Sequence, residues 1–279
     1  MALAVITGAG APGGIGMACA RALGQAGFDL AITATTGRIE ARRAELMAEG
    51  FAVTAFQGDL TDPATVTRLY DTTGPATVLV NNAGMGSVLA PAEQMAFLDM
   101  TADQWRRQMD VTLTTAVLVT RAYLPGMLAA GQGRVVMMAS VTGPMVSNPG
   151  ESAYSAAKAA VINLMEGYRQ GLEKYGIGVS VVCPANIKSN IAEATLTRPA
   201  ALGTSGYVEG PEAIASLQSI YQHGMEPEVL AAHVMQGIRD IPGAGPGTYR
   251  DGGLLDYHLD LPYSGSDIVL YPHFTDRVI

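Results

Sequence analysis

Thr7-Gly8-Ala9-Gly10-Ala11-Pro12-Gly13-Gly14-Ile15-Gly16 ends a first apolar run, Ala2 to Thr7, and opens the helical pattern Met17-Ala18-Cys19-Ala20-Arg21-Ala22-Leu23. Glycines at such a junction let the backbone turn tightly. They also let a pyrophosphate rest on the helix N-terminus, whose free N–H groups and dipole favour an anion. A glycine-rich stretch by itself is only a turn. Its place between a first strand and a first helix makes it a dinucleotide loop, with Gly8, Gly10, Gly14, Ile15 and Gly16 as the expected contacts.

Working outward, short β-branched runs alternate with longer helical patterns. Strands are expected at Ala2 to Thr7, Asp29 to Ala34, Ala52 to Gln57, Thr77 to Val80, Gly133 to Met138 and Gly178 to Val182. Helices are expected at Gly14 to Gln25, Arg38 to Glu49, Pro63 to Thr72, Thr101 to Leu128, Ala153 to Lys174 and Glu226 to Arg239. Asp62 before Pro63 is a helix start in miniature, an N-cap carboxylate ahead of a first-turn proline. This alternation predicts an α/β fold: a doubly wound, Rossmann-like parallel sheet with helices on both faces. Residues 1–240 form one catalytic domain, and the Pro- and Gly-punctuated stretch 187–225 reads as a substrate lid. Ile241-Pro242-Gly243-Ala244-Gly245-Pro246-Gly247 then sets off a tail, 241–279.

Of 279 residues, 48% are hydrophobic and 15% charged, which suits a large core and excludes a disordered chain. A formal net charge of -8, from 17 Lys plus Arg against 25 Asp plus Glu, argues against a nucleic-acid partner. So few charges imply that some apolar surface is covered by another subunit, hence a homodimer or homotetramer. Cys19 and Cys183 are too few for a disulfide framework. No basic segment precedes the apolar start, so Met1 to Ile6 reads as a strand and not a signal peptide. No apolar run reaches the roughly 18 residues that a membrane span needs, so no membrane partner and a cytoplasmic location are expected. His223, His233, His258 and His273 lack metal-ligand spacing, and no metal is expected.

Two further groups of residues carry chemistry. The second strand ends at Ala34-Thr35-Thr36-Gly37-Arg38, where a dinucleotide fold meets the ribose 2′-position. An acidic residue there suits NAD, whereas Thr35 and Arg38 suit the 2′-phosphate of NADP. NADP is therefore expected, with NAD as the alternative, unless Arg38 merely starts a solvated helix as Arg42 and Arg43 do. The second group is Tyr154-Ser155-Ala156-Ala157-Lys158. With 11 Tyr and three Lys in the chain, about 0.1 such pairs would arise by chance. Four residues of helix put both side chains on one face. A phenol with a pKa near 10 needs a nearby cation to work at neutral pH, and Lys158 supplies one. Ser140, after the fifth strand, can hydrogen-bond the same substrate oxygen.

With these residues assembled, the chain resembles a short-chain dehydrogenase/reductase. The matching motifs are the glycine loop, Asp59 after the third strand, Asn81-Asn82-Ala83-Gly84 after the fourth, Ser140, Tyr154 with Lys158, and Cys183-Pro184-Ala185-Asn186-Ile187. The resemblance implies hydride transfer between a nicotinamide and a carbonyl carbon, with Tyr154 as proton donor in reduction. It also implies that Asp59 and Leu60 meet the adenine, that Asn82, Ala83 and Gly84 line the cofactor, and that Pro184 and Ile187 approach the nicotinamide. The fourth and fifth helices are implied to form the subunit interface.

The chain also departs from the family pattern. Gly8 and Gly14 enclose five residues where three are usual, Ala185 replaces a glycine, and Thr112 stands where the family often has an active-site asparagine. Thr112 joins Ser140, Tyr154 and Lys158 as a catalytic candidate, although it offers a different geometry for a proton relay.

Residues 1–150 resemble oxoacyl-thioester reductases, and Tyr154 to about Asp240 resembles lignin β-aryl-ether Cα-dehydrogenases. The latter implies a bulky aromatic secondary alcohol or ketone, with Tyr207, Tyr221, His223 and Met225 as lid contacts, and also implies NAD, against the reading of Thr35 and Arg38. The tail from Tyr249 resembles a patatin-type segment through Asp251-Gly252-Gly253, but no G-x-S-x-G elbow accompanies it. Three functions follow in order: an oxidoreductase acting on a small-molecule carbonyl or alcohol, a cofactor-binding protein with weak or lost catalysis, and a lipid acyl hydrolase. Ile268 to Tyr271 is the expected last strand.

Overall fold

Strands β1 (Leu3–Ile6), β2 (Asp29–Ala34), β3 (Val53–Gln57), β4 (Val78–Asn81), β5 (Gly133–Met138) and β6 (Ile177–Val182) pair in parallel in the order β3-β2-β1-β4-β5-β6. The computed structural model describes residues 2–84, 100–143, 152–188, 219 and 222–239. Strand side chains alternate between faces, and both faces are covered. Ala4 and Ile6 of β1, with Leu30 and Ile32 of β2, meet helices α1 (Ile15–Gln25) and α2 (Arg38–Ala48), and the last described helix, Pro227–Arg239, completes that layer. Val5, Ala31, Leu79 and Val135 point the other way, onto α3 (Pro63–Thr73) and the helices that follow β4 and β5. Cys19 and Cys183 are free thiols, one in each core. Burying a Val, Leu or Ile contributes about 1.5–3 kcal/mol, so these two layers dominate the stability of the sheet.

Sequence order along the sheet reverses between β1 and β4, and a crevice opens at such a switch point beyond the strands' carboxyl ends. The glycine loop and Asn82 to Gly84 both emerge there.

The expected and observed elements agree to within two residues, with one exception. The single helix expected at Thr101 to Leu128 is α4 (Ala102–Met109), a π-helical turn (Asp110–Thr114) and α5 (Thr115–Ala130). Threonines explain the interruption. Thr114 Oγ1 donates to Asp110 Oδ1 at 3.0 Å, and Thr115 Oγ1 donates to the Asp110 carbonyl at 3.1 Å, so side chains take part in the backbone's bonding. The Thr101 capping box fixes the start of α4 through Gln104. The long helix α6 (Ser152–Leu172) ends in a 3₁₀ turn (Glu173–Tyr175), and α7 (Pro227–Arg239) is the helix already met in the first layer.

The membrane reading needs one correction. Ala102–Ala130 is long and apolar enough to cross a bilayer by length and composition. Its Val119, Tyr123 and Met127 are buried in the core, as in a helix flanking a sheet.

Most of the expected lid, the tail and the strand at Ile268 to Tyr271 lie outside the described residues, as do Tyr207 and Tyr221. The two ends of the expected lid, residues 187–188 and 222–225, are described. Met225 N–H donates to Asn186 O at 2.9 Å and Lys188 N–H to Met225 O at 2.8 Å, a parallel bridge between Ile187 and Met225. Lys188 and Glu226 pair at 2.6 Å beside it.

Candidate active site

The glycine loop is held by close packing. Gly8 has φ +72°, and a Cβ on it would lie 2.9 Å from the Ala83 backbone; one on Gly16 would lie 2.8 Å from the Gly8 carbonyl oxygen. The Asn82 amide nitrogen donates to the Thr7 and Gly8 carbonyls at 3.1 and 3.0 Å, and the N–H groups of Asn82 and Ala83 donate to Thr7 Oγ1 at 3.0 and 2.9 Å. Asn82 and Ala83 thus tie the end of β4 to the loop. Thr7 was not singled out from the sequence, although a buried hydroxyl ending a strand was the available signal.

Helix α1 starts after Gly14 without a side-chain cap, which leaves the first-turn amides of Ile15 and Gly16 for an outside acceptor. Gly13, one of the two extra loop residues, has open space where a Cβ would be. Uncapped amides behind a crowded glycine turn fit the diphosphate of a dinucleotide.

Arg38 starts α2 and reaches back over the loop: a Cβ on Gly10 would meet its Nε at 2.6 Å and the Ala34 Cβ at 2.9 Å. Arg42 pairs with Glu45 and Arg43 with Glu40, whereas Arg38 has no acidic partner among the described residues. Thr35 is exposed beside it. Asp59 is exposed at the end of the third strand's loop, its Oδ1 accepting from Thr61 N–H at 3.0 Å and Thr61 Oγ1 at 2.8 Å, while Leu60 is buried in the core. Gly84, at φ +130°, lies against Thr112.

Tyr154 and Lys158 share one face of α6, with Lys158 Nζ 5.6 Å from the Tyr154 ring centroid. Lys158 is 3% exposed and donates to the Met138 carbonyl at 2.8 Å. Burial lowers its pKa from 10.5 to about 8, partly offset by Cys183. The Cys183 thiol is pushed up to about 12 by its own burial, against the pull of the Lys158 charge and a backbone hydrogen bond from Ser140.

Ser140 follows β5 in a turn closed by Gly143 N–H to Ser140 O at 3.0 Å, and its Oγ accepts from Thr142 Oγ1 at 3.0 Å. Gly143 seats this turn on α6, since a Cβ there would fall 3.1 Å from the Lys158 carbonyl carbon and 2.7 Å from Ile162 Cδ1. In the sequence Gly143 carries no signal of this role, since a glycine three residues after Ser140 resembles any loop residue. Val141 N–H donates to Pro184 O at 3.1 Å, bringing the Pro184 segment alongside, and Ile187 is buried in the core. Thr112 is fully buried in the π turn. Among the described residues no cluster of three His, Cys, Asp or Glu is placed to hold a metal.

The family profile described as short chain dehydrogenase matches residues 2–199. The chain belongs to that family. This short-chain dehydrogenase is 43% identical, over 244 residues, to a C alpha-dehydrogenase of Sphingobium sp. strain NBRC 103272 / SYK-6, covering 85% of this chain and 77% of the relative. A Burkholderia phymatum short-chain dehydrogenase/reductase solved in complex with NAD superposes with a TM-score of 0.73 at 28% identity, covering 86% of each chain. A metagenomic short-chain oxidoreductase in complex with NADP gives 0.64 at 28% identity, covering 84% of this chain and 89% of the other. The protein is accordingly an NAD(P)-dependent oxidoreductase with a Rossmann-like sheet.

Proposed function

We propose that this short-chain dehydrogenase interconverts a secondary alcohol and its ketone with NADP(H), on a substrate bearing a bulky aromatic or acyl group. The observation that carries the reading is the buried Lys158 ammonium beside the Tyr154 ring. A bound nicotinamide supplies the hydride. In reduction Tyr154 gives its phenolic proton to the carbonyl oxygen, and the Lys158 charge, poorly screened because it is buried, stabilises the phenolate left behind. Ser140 hydrogen-bonds the same oxygen from the sheet side, and Thr112, buried behind Gly84, is the further catalytic candidate. NADP is favoured by Arg38, which lies over the loop with no acidic partner among the described residues, and by the absence of an acidic side chain at Ala34 to Gly37. The resemblance of Tyr154 to about Asp240 to lignin β-aryl-ether Cα-dehydrogenases supports the aromatic substrate class, and a C alpha-dehydrogenase is among the relatives.

A panel of aryl ketones and oxoacyl thioesters, offered with NADPH and with NADH, tests the reading. NADPH-driven reduction of aryl ketones is expected. Cofactor binding with no turnover on any member contradicts it.

A further inference from the structure

Every residue of α4 is at least partly exposed except Gln108, which is 5% exposed in the helix's last turn. An inward-facing amide is costly unless its hydrogen bonds are made. Its Nε2 donates at 3.2 Å to Oγ1 of Thr112, a side chain that is itself 0% exposed and sits in the π turn. Single π turns occur frequently at functional sites because they displace backbone from the α-helical ladder.

Two contacts place this pair. Thr112 backs onto Gly84, whose added Cβ would come within 3.3 Å of the Thr112 Cα, so the pair underlies the loop leaving β4 at the sheet's switch point. On its other side, both α4 and the π turn pack against α6, the helix that carries Tyr154 and Lys158. A buried amide–hydroxyl bond therefore ties α4 to the π turn that lies between Gly84 and the Tyr-Lys helix.

We infer that Gln108 is a positioning residue for the proposed oxidoreduction, holding Thr112 and the π turn in register with Gly84 and α6. A threonine hydroxyl has two acceptor lone pairs and one proton. Donation from Gln108 occupies one lone pair and ties the last turn of α4 to the π turn that carries the hydroxyl. The inference rests on the function proposed above and names the residue that the sequence pattern did not single out.

Steady-state turnover with NADPH and an accepted ketone, together with NADPH affinity, tests it in four chains: wild type, Gln108→Leu, Thr112→Val and the double variant. Each single change should lower kcat about tenfold while NADPH affinity stays within about threefold, since general acid–base groups lose rate when misplaced and not ground-state binding. The double variant should be no slower than the worse single one, because both remove the same bond. Thr112→Val is nearly isosteric and keeps the test open if Gln108→Leu fails to fold. Thr112→Ser, which restores the hydroxyl, should lose less rate than Thr112→Val. A wild-type chain that turns over while both single variants keep its rate overturns this inference alone, as do single losses that simply multiply in the double variant. A wild-type chain without turnover overturns the functional reading and this inference with it.

Discussion

Lys158 is a cation in a place that disfavours cations, and this has a pH signature. Turnover that needs its charge is full below pH about 8 and falls as pH rises through that value, which kcat/KM of the free enzyme should report. Stability moves the other way. Because the folded value, about 8, lies below the ordinary 10.5, the unfolded chain binds more protons between the two, and this group adds stability as pH rises across that window. The buried thiols Cys19 and Cys183, both pushed up from 9.0 to about 12, oppose it above pH 9 because the unfolded thiols ionise first. Comparing wild type with Lys158→Met isolates the lysine: the variant's stability relative to wild type should decline from pH 8 to pH 10.5 in urea titrations. A flat difference would deny the buried cation. Arg38 is tested through cofactor choice. Arg38→Ala should narrow the preference for NADPH over NADH by about tenfold, the weight of one partly exposed charge-assisted bond, and an unchanged ratio would leave Arg38 a helix decoration.

Within the glycine loop, two glycines make opposite demands on the element. Gly8 combines φ +72° with backbone 2.9 Å from any added Cβ, so Gly8→Ala should cost roughly 1–3 kcal/mol of stability and weaken cofactor binding. Gly13 has neither a left-handed φ nor a neighbour within 4 Å, so Gly13→Ala should leave the melting temperature unchanged or slightly raised. Calorimetry of the two variants decides whether the loop is crowded where the distances indicate. The loop's identity was legible because strand, glycines and helix follow one another in sequence. What was not legible depends on residues far apart in the chain. The family resemblance implies that Asn82 lines the cofactor, and only the fold reveals that its amide is committed to the carbonyls of Thr7 and Gly8. The break in the helix between Met109 and Thr115 was also hidden, since apolar periodicity continues through it and the cause is threonine side chains bonding to Asp110. Gly143 gave no local signal because its constraint comes from α6 packing across the Ser140 turn.

At the scale of the whole molecule, the parallel sheet places the first-strand loop, the β4 exit, the Ser140 turn and the Pro184 segment on one rim, and α6 delivers Tyr154 and Lys158 to it. The face of α6 turned away from the sheet carries exposed Ala159, Asn163, Gly167 and Gly171, and the two glycines have open space around them. Small uncharged residues along a long helix allow close approach of a second copy, so the chain is expected to sediment as a dimer or tetramer at micromolar concentration, and a monomer there would contradict this. Alternation of strands and helices made the sheet's architecture readable from the sequence, including β3 and β6 at the two edges of the described sheet. In the proposed reaction one phenol moves the proton while the fold holds the cofactor. Its most direct measurement is NADPH-dependent ketone reduction by Tyr154→Phe beside wild type, with NADPH affinity measured on both. Turnover should fall by at least about 100-fold with affinity nearly unchanged. A variant that keeps about a tenth of the wild-type rate would contradict the account.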